Sequence, residues 1–268
     1  MIVSQYFVLF IIFSFLGWVW ESIYCTIKEK HFSNRGFLFG PLCPIYGSSV
    51  AVGVFLFTRV SFLAAGQMPF WKLFLICAAG SAVAEFGTSY YLEKRFHARW
   101  WDYSKMPLNV NGRICLPVTV CFGLAGVVLV RWMIPLLSNV QTSIHPLVYE
   151  ASALVLMGVF GADFGLTEAS LSTLLQKIEA AEKEFTDRAE AAYELVSSTP
   201  EQIEARISGF EDELHDRAYM LAENLSLRQK YIVGSVRRFH SFNPGRHEFR
   251  TGEHVREALQ DIRNKKAG

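Results

Sequence analysis

The chain has 268 residues, 51% of them hydrophobic and 14% aromatic, with a formal net charge of +1. A mean hydropathy of +0.22 is high for a soluble domain, and a near-zero charge argues against the basic surface that nucleic-acid binding uses. The apolar residues crowd into positions 1–169, so the composition describes a membrane region followed by a more polar tail.

In chain order, apolar stretches lie near residues 3–24, 45–64, 71–92, 115–137 and 147–169, each close to the ~20 residues that cross a bilayer core as a helix. Five crossings put the termini on opposite sides. The first stretch lacks the basic leader and small-residue cleavage pattern of a signal peptide, and it contains Trp18, Trp20 and Glu21. It reads as a retained helix.

Glu21 in the first stretch and Glu85 in the third are carboxylates inside hydrocarbon-like sequence, where such groups usually face a protein interior or a polar cavity. Each is followed, at equal spacing, by an arginine, Arg35 and Arg99. Both arginines open segments rich in Gly, Pro, Asn and aromatics. The first runs Asn34-Arg-Gly-Phe-Leu-Phe-Gly-Pro-Leu-Cys-Pro-Ile-Tyr-Gly47; the second runs Arg99-Trp-Trp-Asp-Tyr103 and on through Asn111-Gly-Arg-Ile-Cys-Leu-Pro-Val-Thr-Val-Cys-Phe-Gly123. The front of the chain therefore looks like one module used twice.

Residues 36–47 are too apolar for a solvated connector. They are expected to dip back into the membrane, with irregular backbone covered by protein or lining a wet cavity. The loop over 93–114 is more polar. Arg99, Trp100, Trp101, Asp102 and Tyr103, with Asn111 and Arg113, could grip an anionic or planar head group through bidentate guanidinium contacts.

Basic residues set the orientation. Lys28, Lys30 and Arg35 follow the first stretch, and Lys94, Arg95, Arg99, Lys105 and Arg113 follow the third, whereas the other connections offer only Arg59, Lys72 and Arg131. The positive-inside rule then places the motif loops and the tail in the cytoplasm and the N-terminus outside. Cys25, Cys43, Cys77, Cys115 and Cys121 show no paired or metal-ligand spacing and read as small apolar residues, with a thiol pair of Cys43 and Cys115 kept as the alternative. No metal or cofactor is expected.

The fifth stretch carries Gly158, Gly161 and Gly165, a small-residue face suited to close helix packing within one chain. Asp163 is deep enough to be either a third acidic site or a group looking into cytoplasmic water. Beyond residue 169, Leu171, Leu174, Leu175, Ile178, Ala181 and Phe185 mark an amphipathic helix to about Ser198. Thr199-Pro-Glu-Gln202 has the cap, first-turn proline and capping-box spacing that start a second. Its apolar residues, Ile203, Ile207, Phe210, Leu214, Tyr219 and Leu221, predict an antiparallel hairpin with the first. A turn at Ser241–Arg246 and a basic helix from about Glu253 to Lys265 complete the tail. Residues 170–223 hold 5 basic and 13 acidic groups and residues 224–268 hold 10 and 4, so the far end could lean on anionic membrane lipids or an acidic partner.

The expected fold is all-α: a polytopic membrane bundle of about five helices over 1–169, built as two helix-loop-helix repeats plus one, with a cytosolic helical tail over 170–268. The motifs at Glu21, Asn34–Gly47, Glu85, Arg99–Ser104 and Gly112–Leu116 resemble those of the bacterial type IV ABC-transporter permease family, over roughly residues 10–135. That resemblance implies a transport component. The chain has no Walker A loop, so hydrolysis would come from a separate ATPase subunit, and a homodimer would double the few spans available for a path. On this reading Glu21, Asn34, Arg35, Glu85, Arg99, Trp100, Trp101, Asp102, Tyr103, Asn111 and Arg113 line a polar substrate path at the repeat interface.

Two alternatives stand beside it. One is a membrane-embedded enzyme acting on a lipid head group, with Glu85 or Asp102 as general base and arginines holding phosphate. The other is a scaffold or sensor in which Glu21 pairs with Arg35 or Arg113 and Glu85 with Arg99, while the tail recruits a partner.

Overall fold

The computed structural model describes residues 2–30, 36–60, 68–194, 200–240 and 251–267. In chain order the elements are α1 (Ile2–Glu29), α2 (Pro44–Arg59), α3 (Phe70–Phe96), β1 (Ala98–Arg99), β2 (Asn109–Val110), β3 (Ile114–Cys115), α4 (Leu116–Val128), a π-helical turn (Leu129–Met133), α5 (Ile134–Ser143), α6 (Pro146–Glu194), α7 (Pro200–Glu223), α8 (Leu227–Ser235), β4 (Arg238–Phe239) and α9 (Thr251–Ala267). The fold is all-α apart from two minimal strand pairs. Among the described residues four helices are long and apolar enough to cross a bilayer: Ile2–Lys28, Phe70–Phe96, Leu116–Leu137 and the run Pro146–Arg188. The expected second span corresponds to α2, whose 16 residues give a length of about 24 Å against a core of about 30 Å. Its chain leaves helical geometry at Val60, and residues 61–64 of the predicted span lie outside the described residues.

The chain divides into two compact units: Met1–Tyr90 with Asp102–Gly165, and Tyr91–Trp101 with Leu166–Gly268. The division falls inside α3 and α6, the second near the boundary expected at 169.

In the first unit the two repeats are built alike. α2 and α4 each begin with an extended, buried cysteine at the N-cap, Cys43 and Cys115, and a proline in the first turn. Proline suits that place because its missing N–H would have no helical partner there. Each helix then crosses its predecessor at a glycine. A Cβ on Gly47 would strike the Phe10 carbonyl oxygen and Ser14 Oγ of α1; one on Gly123 would sit 2.8 Å from the Phe74 ring and 2.9 Å from Ala78 Cβ of α3. Phe10 and Phe74, Ser14 and Ala78, and Glu21 and Glu85 are all separated by the same number of residues. The duplicated pattern in the sequence is thus a duplicated helix crossing.

α4 and α5 form one helical run broken only by the π turn. Pro135 lacks the N–H that an α-helix needs and crowds the carbonyl four residues back, and the widened turn just before it relieves both. Leu73, Val127 and Val130 form the core there, with Phe57, Phe74, Cys77 and Ile134 packed around them.

In the second unit α6 and α7 run antiparallel, registered by Arg188 with Glu213 at 2.9 Å and by Arg217 with Glu184. Leu171, Leu174, Leu175 and Ile178 of α6 are buried, as are Leu214, Ala218 and Ala222 of α7, Ile232 and Val233 of α8, and Val255 and Ala258 of α9. The predicted turn at 241–246 and the Thr199 cap lie outside the described residues.

Candidate functional site

The carboxylates that open the two repeats both end on phenols. Tyr46, in the first turn of α2, donates its hydroxyl to Glu21 Oε1 of α1 at 2.7 Å. Tyr103 donates to Glu85 Oε1 of α3 at 3.3 Å. Glu85 is 6% exposed, and its Oε2 is buried with no hydrogen-bond partner among the described residues. Tyr46 and Tyr103 interact electrostatically, as does Glu85 with Glu21, so the four groups lie near one another in the first unit. The Tyr103 phenol is held above its ordinary ionisation range, first by burial and then by the negative charge of Glu85 and Glu21. It stays a neutral donor.

Local sequence positions each member. Tyr46 fits beside Gly17, where a Cβ would strike its ring, and the Cys43 N–H donates to the Ser14 carbonyl at 2.9 Å, so the start of α2 is fixed against α1. Tyr103 is held by a hairpin. Asn111 (φ 53) and Gly112 (φ 68) adopt the left-handed backbone that Asn and Gly tolerate best, which closes β2 on β3. The Gly112 carbonyl then accepts the Tyr103 N–H at 2.8 Å. Asn111 therefore shapes the loop that delivers the phenol.

The segment before α2 is held by packing and one hydrogen bond. Leu38 is fully buried, and the Gly40 N–H donates to Asp163 Oδ2 of α6 at 3.0 Å. Asp163 thus anchors irregular backbone. Phe37 and Phe164 lie with ring centroids 6.3 Å apart beside it.

The arginines are placed differently from the acids. Arg99 donates Nε and Nη2 to Glu93 at 2.6 and 3.0 Å in the second unit, rather than serving as the counter-ion the scaffold reading assigned to Glu85. Its strand β1 pairs with β4, registering Ala98 with Phe239 and Arg99 with Arg238, and the His240 Nε2 lies 3.3 Å from the same Glu93. Arg113 lays its guanidinium over the Phe86 and Tyr90 rings, at 5.3 and 5.5 Å. Trp100 meets Phe96 edge to face, and Trp101 closes the second unit's first segment. Asp102 Oδ1 accepts from the Ser104 N–H at 2.9 Å, an Asx turn that starts the loop. Asn34 and Arg35 lie outside the described residues.

Tyr46 is the partner of Glu21 that the reading of the sequence passed over. The signal was present: it is the hydroxyl-bearing ring directly before the close-packed glycine. In the second repeat that place belongs to Phe122, whose ring meets Tyr46 edge to face at 5.9 Å. All five cysteines are among the described residues, and none of them is joined in a disulfide. Among the described residues no group of three or more His, Cys, Asp or Glu converges to hold a metal.

A family model described as "Putative ABC-transporter type IV" matches residues 8–168, which takes in both repeats and most of the apolar part of α6. No curated protein and no solved structure matches the chain.

Proposed function

Because the chain belongs to the Putative ABC-transporter type IV family, we propose that it is the multi-pass membrane component of a transporter in which the Glu21, Tyr46, Tyr103 and Glu85 cluster borders the substrate path. The observation that carries this reading is that each repeat sets a phenol on a carboxylate inside an apolar helix, Tyr46 on Glu21 and Tyr103 on the buried Glu85. Membrane carriers often bind cargo where internal repeats meet, because the repeats can rock about a site they share. A carboxylate kept in apolar surroundings is costly as pure scaffolding and useful as a polar step for cargo.

On this reading the motif loops and the tail face the cytoplasm, where a separate ATPase subunit docks and supplies hydrolysis. Arg113 and the Asp102–Tyr103 segment border the cytoplasmic mouth. A second copy of the chain would complete the path. The test is to purify the tagged chain from its native membrane, identify a co-purifying ATPase, and measure ATP turnover of the complex in lipid. Glu21→Gln and Glu85→Gln should each change turnover by about tenfold while the complex stays assembled. An assembled complex with unchanged turnover in both variants overturns the reading.

A further inference from the structure

The described hydrogen-bond partners of Glu21 and Glu85 are neutral phenols, so the cluster gathers two acids around donors that carry no charge. Glu85 Oε2 sharpens the imbalance: it is shielded from solvent, it has no hydrogen-bond partner among the described residues, and its residue is more than nine-tenths buried. A carboxylate oxygen so placed is destabilising unless a proton or a cation sits on it. The groups facing the cluster are Glu21 from α1, Tyr46 and Cys43 from the start of α2, Tyr103 from the loop and Cys115 from the start of α4. Arg113 also lies nearby, its guanidinium over the rings of Phe86 and Tyr90, the first adjacent to Glu85 in sequence. The donor set of two carboxylates and two phenol oxygens is all oxygen, which suits a hard cation. It supplies fewer oxygens than the usual calcium shell.

We propose that the Glu21, Tyr46, Tyr103 and Glu85 cluster binds one small monovalent cation, a proton or a sodium ion, on Glu85 Oε2. The proposal rests on the reading of this cluster as part of a transport path and names the ion held there. With the ion bound, Oε2 is satisfied and the cluster carries one negative charge fewer. Without it, Glu21 and Glu85 repel each other across the repeat junction. Occupancy therefore favours the closed pairing of the two repeats, and loss of the ion favours their separation.

The experiment uses the purified chain in lipid nanodiscs with two probes. Radioactive sodium binding is measured by scintillation proximity at mildly alkaline pH, and the carbonyl stretch of a protonated carboxyl is recorded by infrared spectroscopy at neutral pH. Saturable sodium binding, weakened about tenfold or more in Glu85→Gln, supports the proposal and identifies sodium. Absence of sodium binding with a protonated-carboxyl band that Glu85→Gln removes supports it and identifies the proton. Neither signal in the wild type overturns it, as does either signal surviving unchanged in Glu85→Gln. If Glu85→Gln does not yield monodisperse protein, Glu21→Gln removes the facing charge and must shift the sodium affinity or the band. ATP turnover of the assembled complex separates this proposal from the path reading. Loss of the ion signal with unchanged turnover in both variants overturns the path and keeps the cation; altered turnover with no ion signal does the reverse.

Discussion

The first repeat takes its phenol from a helix and the second from a loop. In the first, Tyr46 sits directly before Gly47, so the helix crossing that packs α2 on α1 also delivers a hydroxyl to Glu21 at 2.7 Å. In the second, the corresponding ring is Phe122, and the hydroxyl reaches Glu85 from Tyr103 at a longer 3.3 Å. Tyr103 in turn depends on the Asn111-Gly112 turn for its position. What the two modules share is an acid with a neutral donor on it, and the route to that donor has diverged. The first acid's partner is built into rigid packing, and the second's can move with a loop.

The largest effect expected from this contrast concerns the crossings. Gly47→Ala sets a methyl against the Phe10 backbone oxygen, which cannot rotate away, and should cost about 3 kcal/mol or more. Gly123→Ala meets only the Phe74 ring and Ala78 Cβ, which can shift, and should cost about 1 kcal/mol. Thermal unfolding in detergent, followed by loss of monodisperse protein, reads both. Equal losses would mean that the two crossings are not differently constrained.

Next in size are the phenols. Tyr46→Phe leaves Glu21 without its described donor and should destabilise by about 2 kcal/mol, whereas Tyr103→Phe removes a longer bond and should cost about 1 kcal/mol. Reversal of that order would place the rigid partner in the second repeat. Asp163→Leu tests the packed segment before α2, because the Gly40 N–H loses its acceptor. A loss of about 1 kcal/mol is expected, together with faster amide exchange over residues 36–43 by hydrogen–deuterium mass spectrometry.

Smallest is a surface pair far from the repeats. The Arg217 hydrogen bond holds the Glu184 carboxyl below its ordinary value of 4.5, helped by the charges of Arg217 and Arg188. A depressed folded-state value contributes stability that is present above 4.5 and lost as pH falls through the lowered value. Melting curves of wild type and Glu184→Gln should therefore differ slightly at neutral pH and converge in acid. A gap that widens in acid would contradict the assignment.

The helices that cross the bilayer were legible because long apolar runs have few other fates, and Glu21 and Glu85 were legible because a carboxylate in such a run stands out. α2 was overestimated for the same reason: its apolar composition continues beyond Arg59, where the helix stops. The capping box of α8, Ser226 with Gln229, was written in the sequence and passed over between stronger patterns. The pairing of β1 with β4 had no readable signal. Two-residue strands carry no periodicity, and Arg99 and Arg238 are joined by backbone geometry rather than by side-chain type. Of the ion pairs in the scaffold reading, Glu85 with Arg99 was suggested by charge complementarity alone. Arg99 instead met Glu93, one helical turn and a short bend away, before any distant acid.

The most direct test of the account is whether the two repeats bring their phenols together in the membrane. With the five native cysteines replaced, Tyr46→Cys and Tyr103→Cys should be joined by a short bis-maleimide in native vesicles, giving one intramolecular product by mass spectrometry. If both thiols take up single maleimides and no bridged product forms, the shared cluster does not exist.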